Sequence, residues 1–376
     1  MAGILSGIRI IEIGGIGPGP FAAMMLADHG AEVITIQRRG GYFVPEDAAS
    51  RSRRSIVLDI KKPAGLELAR KLCRSADGLI EGFRPGVMER LGLGPDVLLA
   101  ENPRLVYGRM TGWGQYGPLS QTAGHDINYI GITGVLHMVG TRGGKPVPPV
   151  NLVGDFGGGG MLLAFGMVAA LLGVRLGRAG QVVDAAMTDG SALLASMCYG
   201  QMAAGTYHDE RGTNWCDGGS HYYDTYACAD GRWISIASWE PQFYALLREK
   251  LGLLEDPAFD AQQDEAVWPL LKERLAAIFM ERTRDDWCAL LEGTDVCFSP
   301  VLSLAEAPAH PHNVARQTFI SVGGVIQPAP APRFSADPAP MPRPAPTIGG
   351  DGEAILRDLG IGAGEIAALK AASALG

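Results

Sequence analysis

Cysteine is sparse in this sequence and none of it is closely paired. Cys73, Cys198, Cys216, Cys228, Cys288 and Cys297 are scattered, with no C-x-x-C among them. That spacing excludes a structural zinc site and a secreted disulfide scaffold. It fits free thiols in a reducing, cytoplasmic compartment. Positive charge is also in deficit, with 32 Lys and Arg against 40 Asp and Glu and a net charge of -8. A nucleic-acid binder needs a concentrated basic face, so no nucleic-acid partner is expected. The most apolar run, residues 161–174, is too short for a bilayer and reads as a buried helix; no membrane span is expected. The opening MAGILSGIRIIEI lacks the basic region and cleavage site of a signal peptide. The final AASALG is not an S-K-L address. No internal repeat is visible.

What is present is apolar material and turn residues. Of 376 residues, 47% are hydrophobic, and there are 52 Gly and 25 Pro. That length exceeds one ordinary core, so two domains are expected. The first half alternates short apolar runs (9–13, 32–36, 79–81, 105–110) with helical patterns (20–29, 63–75), as in a parallel sheet covered by helices. A long apolar helix follows at 156–174, then a strand at 181–186 and a helix at 189–205. YYDTYACADGRWISIAS reads as a hairpin turning at Ala-Asp-Gly. Amphipathic helices are expected at 242–251 and 265–280. The expected organisation is a large α/β domain over 1–205 and a small α+β domain over 219–308. Residues 309–350, rich in Pro and Ala over 327–346, form a linker crossing back. Residues 351–376 form a terminal helix packed on the large domain.

The opening IIEIGGIGPGPFAAMMLADHGAEVITIQRR reads as strand, glycine loop, helix and strand. Gly17, Gly19 and Ala22 fit a G-x-G-x-x-A dinucleotide fingerprint. Pro18 and Pro20 interrupt it, and proline has no N–H for a pyrophosphate. Gln37, Arg38 and Arg39 stand where a ribose-binding acid belongs. Nucleotide binding and a turn that only aids packing are both open on these residues. Further on, Arg51, Arg53, Arg54, Lys61, Lys62, Arg84 and Arg90 fall in one domain. Any one of them can be solvated surface charge; as a set they suggest a polyphosphate ligand.

Two segments carry candidate chemistry. AGHDINYIGITGVL places His125 and Asp126 at a helix start, where unpaired N–H groups are available. PVNLVGDFGGGGMLL places Asp155 before four glycines. Asp155 can be a plain cap and His125 a satisfied imidazole. Four glycines weaken a helix, so close approach of backbone to a ligand is the expected reason for them.

With GIGPGPFAAMMLADHGAEV, LDIKKPAGLELARKL, EGFRPGVMERLGLGP, RLVYGRMTGWGQYGP, AGHDINYIGITGVLH, NLVGDFGGGGM, GQVVDAAMTDGSALL, YYDTYACADGRWISI and EPQFYALL, the sequence resembles the α-methylacyl-CoA racemases of the family III CoA-transferase superfamily. The resemblance covers nearly the whole chain. It implies a large Rossmann-like domain, a smaller α+β domain and an interlocked homodimer. It implies racemisation of 2-methylacyl-CoA thioesters through an enolate, with no cofactor beyond the CoA moiety of the substrate. Carried over, His125 and Asp155 are the two acid–base groups on opposite faces of the α-carbon. The main-chain N–H of Asp126 meets the enolate oxygen, Asn151 supports Asp155, and a partner subunit's Glu240 hydrogen-bonds the histidine. Arg38 meets the adenosine 3′-phosphate region. Leu58, Asp59, Ile60 and Lys61 line the adenine site, and Arg84 and Arg90 neutralise the diphosphate. Ile16, Pro18, Gly124 and Tyr129 line the site. Many relatives have Asp where this chain has Gln37. The rival within the superfamily is a CoA-transferase, in which Asp155 attacks the thioester as a nucleophile. Those enzymes generally lack the histidine. An NADP oxidoreductase and a non-catalytic acyl-CoA binder fit the residues less well.

Overall fold

A computed structural model describes residues 3–41 and 44–376. The chain forms two units. The larger gathers Met1–Thr133, Val150–Leu194 and Gln317–Gly376; the smaller gathers Gly134–Pro149 and Ala195–Arg316.

The larger unit is built on six parallel strands: β1 (Arg9–Ile13), β2 (Glu32–Gln37), β3 (Arg54–Val57), β4 (Gly78–Glu81), β5 (Val106–Thr111) and β6 (Val182–Ala186), in the order β3-β2-β1-β4-β5-β6. This is the dinucleotide-binding order. Its crevice lies where β1 and β4 send their crossovers to opposite sides. The strands are apolar on both faces because helices cover both. One face sets Ile11, Ile34, Ile56, Leu79 and Tyr107 against Leu68 and Leu72 of the helix Pro63–Arg74. The other sets Ile10, Val33, Ile80 and Val106 against Ala22 and Leu26 of the helix Pro18–Asp28, and against Leu163, Met167 and Leu171 of the helix Leu162–Arg175. Burying each large aliphatic contributes roughly 1.5–3 kcal/mol. Gly108 lets the last helix approach: a Cβ there would lie 2.7 Å from the Met167 sulfur.

Three of the arginines expected to face a phosphate are committed to structure. Arg53 is buried and pairs with Glu12 at 2.8 Å, while Thr35 donates to the same carboxylate at 2.6 Å. Arg51, also buried, pairs with Asp28 and donates to Gln327 Oε1 at 2.8 Å and the Pro328 carbonyl at 2.7 Å. Arg54 pairs with Glu32 at 2.6 Å and Asp358 at 2.8 Å. A buried guanidinium without a carboxylate would be costly, and the chain supplies one for both Arg51 and Arg53.

The smaller unit has an antiparallel sheet, β7 (Tyr223–Ala227), β8 (Trp233–Ala237) and β9 (Phe298–Val301), in that order. Its core packs Tyr222, Tyr226, Ile234, Phe259, Trp268, Phe279 and Trp287. The expected hairpin is β7–β8. β9 was not expected from FSPV, but Pro300 is tolerated on an edge strand.

Several boundaries differ from the sequence reading. Residues 134–149 join the smaller unit rather than the large domain because Arg211 donates to the His137 and Gly144 carbonyls, each at 2.7 Å. The expected helix 189–205 is two helices, Met187–Leu194 and Ser196–Ala203, and the units divide between them. The linker contains a hairpin, β10 (Phe319–Val322) with β11 (Val325–Pro328). The terminal helix is two, Gly352–Asp358 and Ala363–Ala371, separated around Gly360, whose φ is 77°. The helix expected at 156–174 starts earlier, and its opening, Leu152–Met161, is π-helical. The run Leu152–Arg175 is thus 24 residues, longer than its most apolar stretch suggested. Leu163, Met167 and Leu171 pack it on the sheet as a layer of this unit.

Candidate active site

His125 is the N-cap of the helix Asp126–Gly131, and its N–H donates to Asn128 Oδ1 at 3.0 Å. The His125 carbonyl accepts from Asn128 N–H at 2.8 Å, which starts the helix. Asp126, the first helical residue, therefore has an N–H with no intrahelical acceptor. Tyr129, one turn on, donates its hydroxyl to the Gly124 carbonyl and packs edge-on against Trp113, with ring centroids 4.7 Å apart. Gly124 and Gly112 leave room for that ring: a Cβ at either would fall 2.7 or 2.0 Å from Tyr129 Cε1. Burial holds the Tyr129 hydroxyl above its ordinary pKa, the Asp155 charge adds to this, and Arg84 opposes it. Trp113 was not anticipated as a site residue, although TGWGQYGP contained it.

Asp155 lies within the π-helical segment. Its N–H donates to Asp126 Oδ1 at 2.7 Å, and its Oδ2 accepts from Asn151 Nδ2 at 3.1 Å. Asp126 is 6% exposed, and its other oxygen, Oδ2, is buried with no hydrogen-bond partner. Burial raises the Asp155 carboxyl above the ordinary aspartate range. Asn151 lowers it, Asp126 raises it further, and the charge of a protonated His125 lowers it. His125, Asp126, Asn151 and Asp155 are thus one electrostatic and hydrogen-bonded group. π-Helical turns are rare and concentrate at functional positions. A wider turn re-aims its side chains, and here one of them is a carboxylate.

The four glycines after Phe156 have a different cause from the one expected. A Cβ at Gly158 would lie 2.6 Å from the Ser191 nitrogen, at Gly159 2.9 Å from Met187 Cγ and 3.1 Å from Pro18 Cβ, and at Gly160 2.7 Å from Phe21. A Cβ at Gly190 would lie 1.8 Å from the Gly158 oxygen. The π-helical segment is pressed between the helices Pro18–Asp28 and Met187–Leu194. Close packing against protein backbone and side chains accounts for Gly158, Gly159 and Gly160. Pro18 belongs to that packing and does not line the cavity.

A cavity of about 1470 Å³ opens in the larger unit beside the ends of β1, β2 and β3. Ile16, Arg38, Leu58, Asp59, Ile60, Lys61 and Asn151 all line it. Gly17 lines it as well and has φ 70°; a Cβ there would sit 3.7 Å from Asp155 Oδ2. The cavity thus runs from the basic loop at Arg38 and Arg39 to the neighbourhood of Asp155. Gln37, also lining, already accepts the Ser55 hydroxyl at 2.5 Å. Arg84 and Arg90 do not line the cavity; Phe83, Val87 and Leu91 do, and both arginines are exposed beside them. Arg84 donates to the Gln121 carbonyl at 3.5 Å. Glu240 lies in the smaller unit, half-buried, as the N-cap of the helix Pro241–Lys250.

Residues 5–352 match the model of CoA-transferase family III. The alpha-methylacyl-CoA racemase of Mus musculus is 44% identical over 366 residues, covering 96% of this chain and 95% of that protein. The alpha-methylacyl-CoA racemase of Homo sapiens is 43% identical over 365 residues, covering 96% and 95%. A crystal structure of a CAIB/BAIF family protein from Brucella suis aligns with a TM-score of 0.82 at 28% identity, covering 96% of this chain and 100% of that one.

Proposed function

We infer the activity from a premise these matches establish: the chain belongs to CoA-transferase family III. It racemises 2-methylacyl-CoA thioesters, and in our reading it removes the α-proton on one face and delivers a proton to the other. The observation that carries this is similarity along nearly the whole chain to two enzymes named for that reaction. The grouping of His125 with Asp155 supports it at the level of residues.

In the mechanism we propose, one of His125 and Asp155 takes the α-proton and the other, protonated, delivers one from the far side. The roles exchange with the direction of reaction. Such a pair typically gives about 10²- to 10⁴-fold per group. A thioester is a weak carbon acid, so the enolate oxygen needs its own donor, worth roughly 2.7–4 kcal/mol. The Asp126 N–H has that role, supported by its place at the first position of a helix. The raised pKa of Asp155 brings a carboxylate closer to the basicity the step needs. The cavity at Arg38 and Lys61 takes the nucleotide of CoA, with Arg84 and Arg90 toward the diphosphate. No cofactor beyond the CoA moiety is required.

The assembly in this reading is a homodimer, with Glu240 of the partner subunit hydrogen-bonding His125. Met161, Phe165, Val168, Leu172 and Leu176 support it, forming an exposed apolar stripe at helical spacing that a second copy would cover. A cytoplasmic location is part of the proposal, supported by six free thiols.

The experiment is turnover of one enantiomer of a 2-methylacyl-CoA in D₂O with no carboxylic acid added. The expected result is racemic product carrying one α-deuterium. The rival, in which Asp155 attacks the thioester and carries the acyl group as an anhydride, is favoured by the family's name. A strict need for an acceptor carboxylate, without α-exchange, would establish it instead.

A further inference from the structure

The chain's last residues reach the cavity, which no motif in them suggests. Ser373 and Gly376 line it, along with Pro346. They are held there by main-chain bonds to the open edge of the sheet. The Asp59 N–H donates to the Ala374 carbonyl at 3.1 Å, and the Gly376 N–H donates to the Val57 carbonyl at 3.1 Å. Leu58 and Leu375 are bridged antiparallel. Lys62 Nζ donates to the Ala372 carbonyl at 2.8 Å. Ala374 and Leu375 are buried, so the segment is fixed rather than draped. The residues it pairs with, Val57, Leu58 and Asp59, themselves line the cavity. Ser373 has φ 52°, a left-handed conformation that disfavours any residue but glycine. Such backbone persists where surrounding bonds over-determine it, and it gathers at ligand sites.

We propose that the segment Ser373–Gly376 is a wall of the nucleotide end of the CoA site, with Ser373 facing the phosphorylated ribose and adenine. The proposal rests on the CoA-thioester reading above and adds a binding residue to it. The same cavity is lined by Arg38, Arg39, Lys61 and Lys62, and of these Lys62 meets the tail through the Ala372 carbonyl. An anion at 373 would therefore oppose a phosphate that these cations attract.

The test uses the full chain with Ser373→Asp, and CoA itself as the probe in titration calorimetry. Thermal melting checks that the variant is folded. Expected is CoA affinity reduced by at least about tenfold, since like charges set against each other weaken a complex strongly. Turnover of a 2-methylacyl-pantetheine, which lacks the nucleotide, should match wild type. Undiminished CoA affinity in the folded variant overturns the proposal, as does an equal loss on the pantetheine substrate. Ser373→Gly gives the second arm: it relieves the left-handed strain and removes the hydroxyl. It should melt no lower than wild type and bind CoA more weakly; unchanged binding there counts against a ligand-facing hydroxyl. Failure of wild type to bind CoA at all would instead refute the thioester reading.

Discussion

Asp126 Oδ1 accepts the main-chain N–H of Asp155 at 2.7 Å, joining segments 29 residues apart in sequence. In the mechanism proposed above, the residue whose own N–H meets the enolate also fixes the backbone of the opposing carboxylate. A shift of about 1 Å in such a group can cost around 10²-fold in rate. Asp126→Ala should lower kcat by about that factor with little change in KM for acyl-CoA. Steady-state kinetics would decide, and a variant with wild-type kcat would remove the tie from the mechanism.

Asp126→Asn keeps an acceptor for the Asp155 N–H and removes a neighbouring charge. That charge raises the Asp155 carboxyl. Its loss should move the acid limb of the kcat/KM profile, in the direction where Asp155 is the base, to lower pH. An unmoved limb would mean that another group titrates there.

Asp155 should also report on stability. Its folded pKa lies above the ordinary 3.8, chiefly through burial. Its favourable contribution is then fully present below the unfolded value and lost as pH rises through the folded one. At pH 7 the wild type carries the cost of a half-buried anion, and Asp155→Asn does not. The Asn variant should melt higher than wild type at pH 7, with the gap closing toward acid. Equal melting temperatures at both ends of that range would contradict this.

Arg53 and Arg38 both line the cavity, but only Arg53 is held in a buried ion pair. Arg53→Ala leaves Glu12 as an uncompensated buried charge, typically a loss of 3–5 kcal/mol. Denaturant unfolding should show that loss. Arg38 is exposed and lines the cavity, so Arg38→Ala should raise KM for acyl-CoA and leave the unfolding curve in place.

Gly190→Ala tests the packing of the π-helical segment. The added methyl would lie 1.8 Å from the Gly158 oxygen, which is main chain and cannot swing aside. Overpacking commonly costs about 1–3 kcal/mol, and rigid backbone puts this site at or beyond the top of that range. Loss of both fold stability and α-proton exchange is expected; a variant active and as stable as wild type would show the two helices are free to separate.

The sheet was largely legible. β1, β2, β4, β5 and β6 are apolar runs between turn residues, and such runs announce themselves. β3 was not, because RSIV begins with an arginine and sits in a run of basic residues; its neighbours were read as a phosphate patch when Arg51 and Arg53 are buried ion-pair partners. Charge type is local information, but the carboxylates that claim it, Asp28 and Glu12, are distant in sequence. The π-helical turn was hidden for a related reason. Its apolar and glycine pattern is that of an ordinary helix, and only the helices on either side reveal which atoms crowd each glycine. His125 and Asp155 stand out from their own segments, the resemblance supplies their roles and adds Asn151, and the structure groups them with Asp126. The packing of Trp113 on Tyr129 and the place of Ser373 on the cavity were not legible, since neither residue stands in a recognisable pattern.

Because Val57, at the end of β3, and the two residues after it pair with residues 374–376, that corner of the larger unit closes only once residues 374–376 are in place. Its three sequence portions are separated by the smaller unit, so closing it demands contacts between remote parts of the chain, which slows folding. Until then a strand stands uncovered, able to recruit another nascent copy. Breaking the pairing of residues 374–376 with 57–59 should accordingly show first as poor recovery of soluble protein.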